Sequence, residues 1–425
     1  MKKLTTSLLV LFLGLLPTVV VAQLDFTGEI RPRTEYRHGL KSLYNDANEA
    51  AFFTSQRTRL NVNYAETKFR VGVSLQDIRT WGDVSQLNSS DKNKIMLHEA
   101  WGEILFRDNF SLKVGRQELV YDDHRILGNV GWAQQARSHD LALFKFKAGE
   151  KGKFHAGFAY NQDKEQLITR LYTTGGNYKS MQFAWYHREF EEFKMSLLFL
   201  NNGLQYSKMA DGAVIDEETR YSQTFGTHLN YKPGKVKFSG SAYYQTGEDV
   251  TGRDLKAYLI SASMYYPVAD NWKGYVGAEI QSGTDTDKQN VNNDNKSFTP
   301  IFGTNHKFNG HMDYFYVGNH GNNVGLQDFF AGLNYGKDKV SFSTALHIFA
   351  SQADLMKGTE KMDSYLGTEI DLSLGYKYSK SLVIKAGYSQ MFASESMEVL
   401  KGGDKGEANN WGWVMLVFKP NFLSK

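Results

Sequence analysis

The chain has 425 residues, 41% hydrophobic and 14% aromatic, with Gly 39, Tyr 24, Phe 28 and only Pro 6. A net charge of +3 without any dense Lys/Arg run argues against a nucleic-acid binder, and zero Cys excludes a disulfide framework, a thiolate metal site and a Cys nucleophile. An aromatic-rich chain that is not hydrophobic throughout suits a barrel with an apolar outside and a wet inside.

Residues 1–22 read as a signal peptide. Lys2 and Lys3 precede an apolar stretch from Leu4 to Val21, and Val20-Val21-Ala22 supplies the cleavage site. The mature chain then starts near Gln23 and forms one domain over 23–425. No later run approaches the length of a spanning helix, so a membrane crossing falls to strands.

From Phe26 the pattern has a period of two. Phe26, Gly28, Ile30, Pro32, Thr34 and Tyr36 alternate with Thr27, Glu29, Arg31, Arg33, Glu35 and Arg37. Thr58, Leu60, Val62 and Tyr64 then alternate with Arg57, Arg59, Asn61 and Asn63. Phe69, Val71, Val73 and Leu75 do so with Arg70, Gly72, Ser74 and Gln76. Successive strand side chains face opposite sides, so one face is apolar and the other charged. A soluble core would bury that charge unpaired, and its recurrence implies a large polar interior.

The links alternate too. Short polar links such as Ala65 to Lys68, Arg107 to Asn109, Glu191 to Glu192 and Gly336 to Lys339 fit tight turns. Between them lie longer segments rich in Asn, Asp, Gly and Lys, the longest from about Ser282 to Gly325. This rhythm predicts an all-β fold, a transmembrane antiparallel up-and-down β-barrel of about 18 strands with short periplasmic turns and long external loops. Aromatics beside the short links, among them Tyr64, Phe69, Phe110, Tyr231 and Trp272, would form a girdle at the membrane surface. Within the longest loop, Ser282 to Lys296 is too polar to pack and is expected to be external. Phe298 to Asp313 carries Phe298, Ile301, Phe302 and Phe308 and is expected to pack at the mouth or fold inward. Trp411, Trp413, Met415 and Val417 mark a closing strand, with Lys419 to Lys425 beyond it.

Enzyme chemistry finds no support. There is no phosphate-binding Gly-rich loop, two-His zinc helix or nucleophile elbow, and no Ser/His spacing stands out for a barrel lipase. No cofactor or metal is expected. Strict alternation sets His98 on the face opposite Glu99 and Glu103, and Asp122-Asp123-His124 reads as a solvated loop tip rather than a Ca²⁺ site.

Arginine is distributed unevenly, with 11 of 15 at or before Arg137. Several lie on the wet parity of neighbouring strands and would stack into a ladder. Two readings stay open and can coexist. A free ladder selects anions, because the planar guanidinium suits carboxylates and phosphates; alternatively Glu29, Glu35, Glu99 and Glu103 neutralise it as an internal brace.

Two sets of motifs carry a resemblance. Val114-Gly115-Arg116-Gln117, Arg125-Ile126-Leu127-Gly128, Trp132-Ala133-Gln134 and Arg137-Ser138-His139-Asp140 form the first. Phe298-Thr299-Pro300-Ile301-Phe302-Gly303-Thr304, His306-Lys307-Phe308, Gly310 and Asp313 form the second. Together they resemble the alginate export porin family of Gram-negative outer membranes. The resemblance implies a monomeric barrel of about 18 strands whose electropositive pore passes anionic polyuronate. It also implies a third external loop, Gln117 to about Trp132, folded inward, with Arg116, Arg125 and Arg137 at the constriction. The substrate pathway is therefore expected to involve Arg31, Arg33, Arg57, Arg59, Arg70, Arg116, Arg125, Arg137, Glu99, Glu103 and Asp140. The expected partners are anionic polysaccharide or other small anions and outer-membrane lipid, with no nucleic acid; the resemblance leaves room for periplasmic export partners, which no residue marks. A second function class is a non-conducting structural or adhesive barrel whose long loops bind surface partners.

Overall fold

The computed structural model describes residues 23–424 apart from 88–89, 94, 168–173, 175–177, 290–293, 305, 317 and 321–322. The signal peptide read at 1–22 lies outside them. Alternation drives the chain into strands, numbered here around the barrel. They are β1 (Gln23–His38), β2 (Ala51–Ala65), β3 (Phe69–Thr80), β4 (Met96–Arg107), β5 (Phe110–Gln117) and β6 (His139–Ala148). Next come β7 (Gly152–Tyr160), β8 (Ser180–Glu189), β9 (Phe193–Ala210), β10 (Ala213–Tyr231), β11 (Lys237–Gly247) and β12 (Ala257–Ala269). The ring ends with β13 (Trp272–Gln281), β14 (Leu326–Lys337), β15 (Val340–Ala350), β16 (Tyr365–Lys377), β17 (Leu382–Ala393) and β18 (Asn409–Phe418).

Each strand pairs antiparallel with the next, and β18 returns to β1 through Thr34↔Val414 and Tyr36↔Gly412, closing an 18-stranded barrel. Closure gives every barrel strand two neighbours and so satisfies its backbone without water. After Pro420 the chain resumes pairing with β1, Phe26 opposite Leu423. Phe422 then lies 2.8 Å from the point where a Cβ on Gly28 would stand, so a side chain there would push the ring aside.

The periodicity sorts side chains as the sequence predicts on the first wall. Arg31, Arg33 and Glu35 are buried inside, whereas Ile30 and Tyr36 remain 45% and 43% exposed on the outer, lipid-facing surface. Short turns gather at one end and long loops at the other, with one exception. β9 and β10 meet in a tight turn at Asp211 and Gly212, both with positive φ, so the expected fifth long loop is the tip of an extended hairpin. Beyond Gly203 and Ser222 that hairpin leaves its neighbours and pairs only with itself.

The interior is less wet than the alternation implies. Loop 118–138, hereafter the third loop, and loop 282–325, the seventh, both fold into the lumen. Leu119, Ile126 and Leu127 pack with inward Leu141, Leu143, Phe183, Trp185 and Leu259 in one apolar cluster. Met312, Tyr314 and Phe315 join Phe349, Leu366, Met391 and Trp411 in another. Each fully buried side chain of this kind contributes about 1.5–3 kcal/mol, which holds the loops in place. The ends of the Ser282 to Lys296 stretch correct the expectation that it is too polar to pack. Thr284 and Asn295 are buried, and Ser297 just beyond the stretch donates to both, its Oγ lying 3.3 Å from Thr284 Oγ1 and its N–H 2.9 Å from Asn295 Oδ1. Its residues 290–293 lie outside the described set.

A closed barrel resists detergent until every strand pairing fails together. Unboiled and boiled samples should therefore migrate differently on a detergent gel; identical migration would contradict closure.

Candidate functional site

The charged face of β1 and β2 creates an electrostatic conflict. Their register sets Arg31 directly opposite Arg57, a pairing of like charges that is destabilising by itself. The third loop supplies the missing acceptors. Arg31 donates to the carbonyls of Gly131, Trp132 and Ala133 at 2.8, 3.1 and 3.2 Å, and to Gln134 Oε1 at 2.9 Å. Arg57 donates to Glu29 at 2.7 Å and to the Gln134 carbonyl at 3.3 Å. Arg33 donates to Glu35 and to the Trp132 carbonyl, each at 2.8 Å, and lies 4.2 Å from the Trp132 ring centroid. Arg37 shares Glu35. The first rungs of the arginine ladder are thus a brace, and the backbone at 131–134 is a strap that they pull against the wall.

Lower rungs are looser. Arg59 donates to Gln76 at 2.6 Å and approaches Glu118 to 3.9 Å. Glu103 accepts from Ser111 and Lys145 and stands 3.9 Å from Arg70, whose side chain is 53% exposed. Glu99 accepts the backbone N–H of Glu118 at 3.0 Å, tying down the root of the third loop.

Two expectations are corrected here. Arg116 and Asp140 face outward, sharing the parity of exposed Val114 and Phe144, and they pair with each other at 2.7 Å. They belong to the outer rim rather than the lumen, since the motif that marks them carries no information about parity. His98 is not separated from acids. An irregularity in the β3–β4 register turns it inward, where it is buried and meets Glu118 at 2.7 Å.

Arg125 and Arg137 lie in the third loop. Arg137 donates to the Gly303 carbonyl at 2.9 Å, and burial pushes its guanidinium down to about 10. It fastens the seam where the third and seventh loops run side by side. There Leu127 bridges Phe302, the Thr304 N–H donates to the His124 carbonyl, and Trp132 stacks on His306 at 4.1 Å. The two loops form a septum across the lumen.

Arg125 anchors the septum to the opposite wall, contacting Glu279 and Asn309. Sequence reasoning assigned this wall no role, although Glu369 and Asp371 lie on the parity opposite Ile370 and Leu372. Asn309 Nδ2 donates to Glu279 at 2.9 Å and Asp328 at 3.1 Å, and His347 meets Asp328 at 2.9 Å. The N–H groups of His311 and Met312 donate to Asp371 and Glu369. Gly310, at φ 80, brings the backbone over Glu369, whose carboxyl lies 2.6 Å from where a Cβ would be.

Two spaces flank the septum. A cavity of ≈ 430 Å³ on the loop side is bordered by Arg33, Arg37, Lys41 and Asp313. Another of ≈ 500 Å³ on the turn side is bordered by Lys237, Lys307 and serines of β11 and β12. The fixed charges and hydroxyls that border both spaces can bind and steer polar solutes.

A sequence profile described as "Alginate export" matches residues 22–399. No curated protein matches the chain. Crystal structures of similar fold include Acinetobacter baumannii OccAB4, with TM-score 0.64, 10% identity, and coverage of 96% of this chain and 100% of that one. Acinetobacter baumannii OccAB3 gives 0.62 at 12% identity, over 94% and 99% of the two chains. Pseudomonas aeruginosa OccK9 gives 0.60 at 11%, over 94% and 98%.

If arginines hold the strap, replacing Arg31 and Arg57 together by Met should expose the third loop to trypsin at Arg125 and Arg137 while the barrel stays heat-modifiable. Equal cleavage of variant and parent would refute the strap. Glu35→Ala leaves Arg33 and Arg37 without their shared carboxylate and should cost about 3 kcal/mol, seen as a lower urea midpoint.

Proposed function

The chain belongs to the alginate export family, and from that premise we propose that this outer-membrane channel passes anionic solutes, among them polyuronates such as alginate or their oligosaccharides. The observation that supports the reading is the charge of one lumen wall. From β1 to β6, inward Arg31, Arg33, Arg57, Arg59, Arg70, Lys113 and Lys145 outnumber inward Glu29, Glu35, Glu99 and Glu103. Pairing removes rungs as individual ligands but leaves a net positive wall. In a low-dielectric cylinder that surplus focuses a field and raises the local anion concentration. Transport is passive: the lumen lowers the barrier with water, fixed charge and weak contacts, and no bond is made or broken.

The septum favours a second reading, a structural or adhesive barrel with a plugged lumen, because two apolar clusters pin the loops across it. Conductance in a planar bilayer separates the two. Open current that prefers anions supports the channel, and silence from heat-modifiable protein supports the plug.

Selectivity should weaken with salt, as the screening length falls from about 30 Å at 0.01 M to about 3 Å at 1 M. Arg70→Ala removes the most accessible ladder charge and should shift the reversal potential toward cations. Arg116→Ala, on the outer rim, should leave it unchanged. A parent channel that prefers cations at low salt would sink the anionic reading.

A further inference from the structure

On the turn side of the septum, β10 to β13 present a regular grid of small polar residues. Register sets Asn230 beside Ser239, Ser239 beside Ser263, Ser241 beside Ser261, and Lys237 beside Tyr265. Tyr265 continues to Tyr275, their rings stacked at 5.5 Å. All share the inward parity, since the alternating Phe238, Tyr244, Tyr258 and Ile260 are exposed on the outer face. Serine in place of bulk leaves the turn-side space of ≈ 500 Å³. That is the size of a small-molecule site.

Five carboxylates and three Lys or Arg side chains border this chamber. Glu279, Asp328 and Asp371 are buried and engaged by Arg125, Asn309, His347 and Ser389, while the half-buried Asp122 and Asp123 accept from Trp185 and from the Arg125 N–H and Ser241, so the cations left without an ionic partner are the two lysines. Lys237 and Lys307 are exposed to the space, and among the described residues neither has a carboxylate within ion-pair distance. Lys307 donates to the Asp123 carbonyl at 2.6 Å, and Lys237 lies 5.8 Å from the Tyr265 ring centroid. Partial burial lowers the Lys307 pKa, and the Arg125 and Lys237 charges add to that against the pull of Asp123. An anion between the two ammonium groups would relieve their repulsion.

We propose that the chamber binds a small polyhydroxylated carboxylate, with Lys237 and Lys307 holding the carboxylate and Ser239, Ser241, Ser261 and Ser263 taking the hydroxyls. The inference rests on the anion-channel reading and deepens it, giving the solute a resting place between the turn-side mouth and the septum.

Isothermal titration of the folded mature protein in detergent with sodium gluconate tests the site without requiring conduction. Saturable binding is expected, weakened about tenfold by Lys307→Gln or Lys237→Gln, the scale of one hydrogen bond to a charged group. Sorbitol, of similar shape without the charge, should not saturate at the same concentrations. Sorbitol binding as tightly, or unchanged affinity in both variants while they stay heat-modifiable, would overturn the proposal. Inorganic phosphate binding as tightly as gluconate would overturn the part given to the serines. An anion-selective channel that binds no gluconate would remove this site and leave the channel reading standing. A cation-selective channel with lysine-dependent gluconate binding would do the reverse.

Discussion

Two guanidinium groups face each other across neighbouring strands, and the interior is organised around that repulsion. Arg31 and Arg57 are separated by one strand spacing in the register of β1 and β2. Water could screen them in an open tube, but here both are buried. Backbone carbonyls provide the compensation. A surface loop would leave its own carbonyls to water; drawn into the lumen, the strap at 131–134 gives them to the arginines instead. Each side thereby satisfies the other's buried polar groups.

The opposite wall follows the same logic with the signs exchanged. Between β13 and β16 the buried inward acids are Glu279, Asp328, Glu369 and Asp371, and the seventh loop meets them with N–H groups, from His311 and Met312, and with the Asn309 amide. The third loop offers that wall a cation, Arg125. One loop therefore presents acceptors to the basic wall and a donor to the acidic wall, and the charge asymmetry of the barrel orients it. Apolar packing then completes what the hydrogen bonds position, with Leu127, Phe298 and Met312 fully buried.

This arrangement divides the lumen into two chambers and sets which charges a solute can meet. Arginines held by the strap contribute field but little direct ligation. Accessible contacts pass to Arg70 on the lower ladder and to Lys237 and Lys307 outside it. On the proposed reading, a lumen built in this way discriminates by potential over its length and by the hydroxyls and lysines of the turn-side chamber. Membership of the alginate export family and the likeness to Occ channels agree with a conduit of this architecture, while the identity of the solute rests on the charges themselves.

The closed barrel was legible in the sequence because a period of two needs no knowledge of distant residues. Phe26 to Arg37 declares its two faces by alternation, and the order of short and long links declares which ends meet. That Phe298 to Asp313 packs against the barrel was legible too, since exposed aromatic rings would be costly there, but whether it lies at the mouth or folds inward was not. Local chemistry was a poorer guide to the site. Arg31 and Arg33 were rightly placed on the inner face, but their partners lie about a hundred residues away, at 131–134. The motifs around Arg116 and Asp140 said nothing of parity, and one irregularity in the β3–β4 pairing was enough to turn His98 inward. Sequence by itself determined which side chains are charged and which face of each strand carries them. Only the tertiary structure decided which of those charges are spent on a loop and which remain for a solute, because that choice depends on where backbone carbonyls arrive once the barrel has closed.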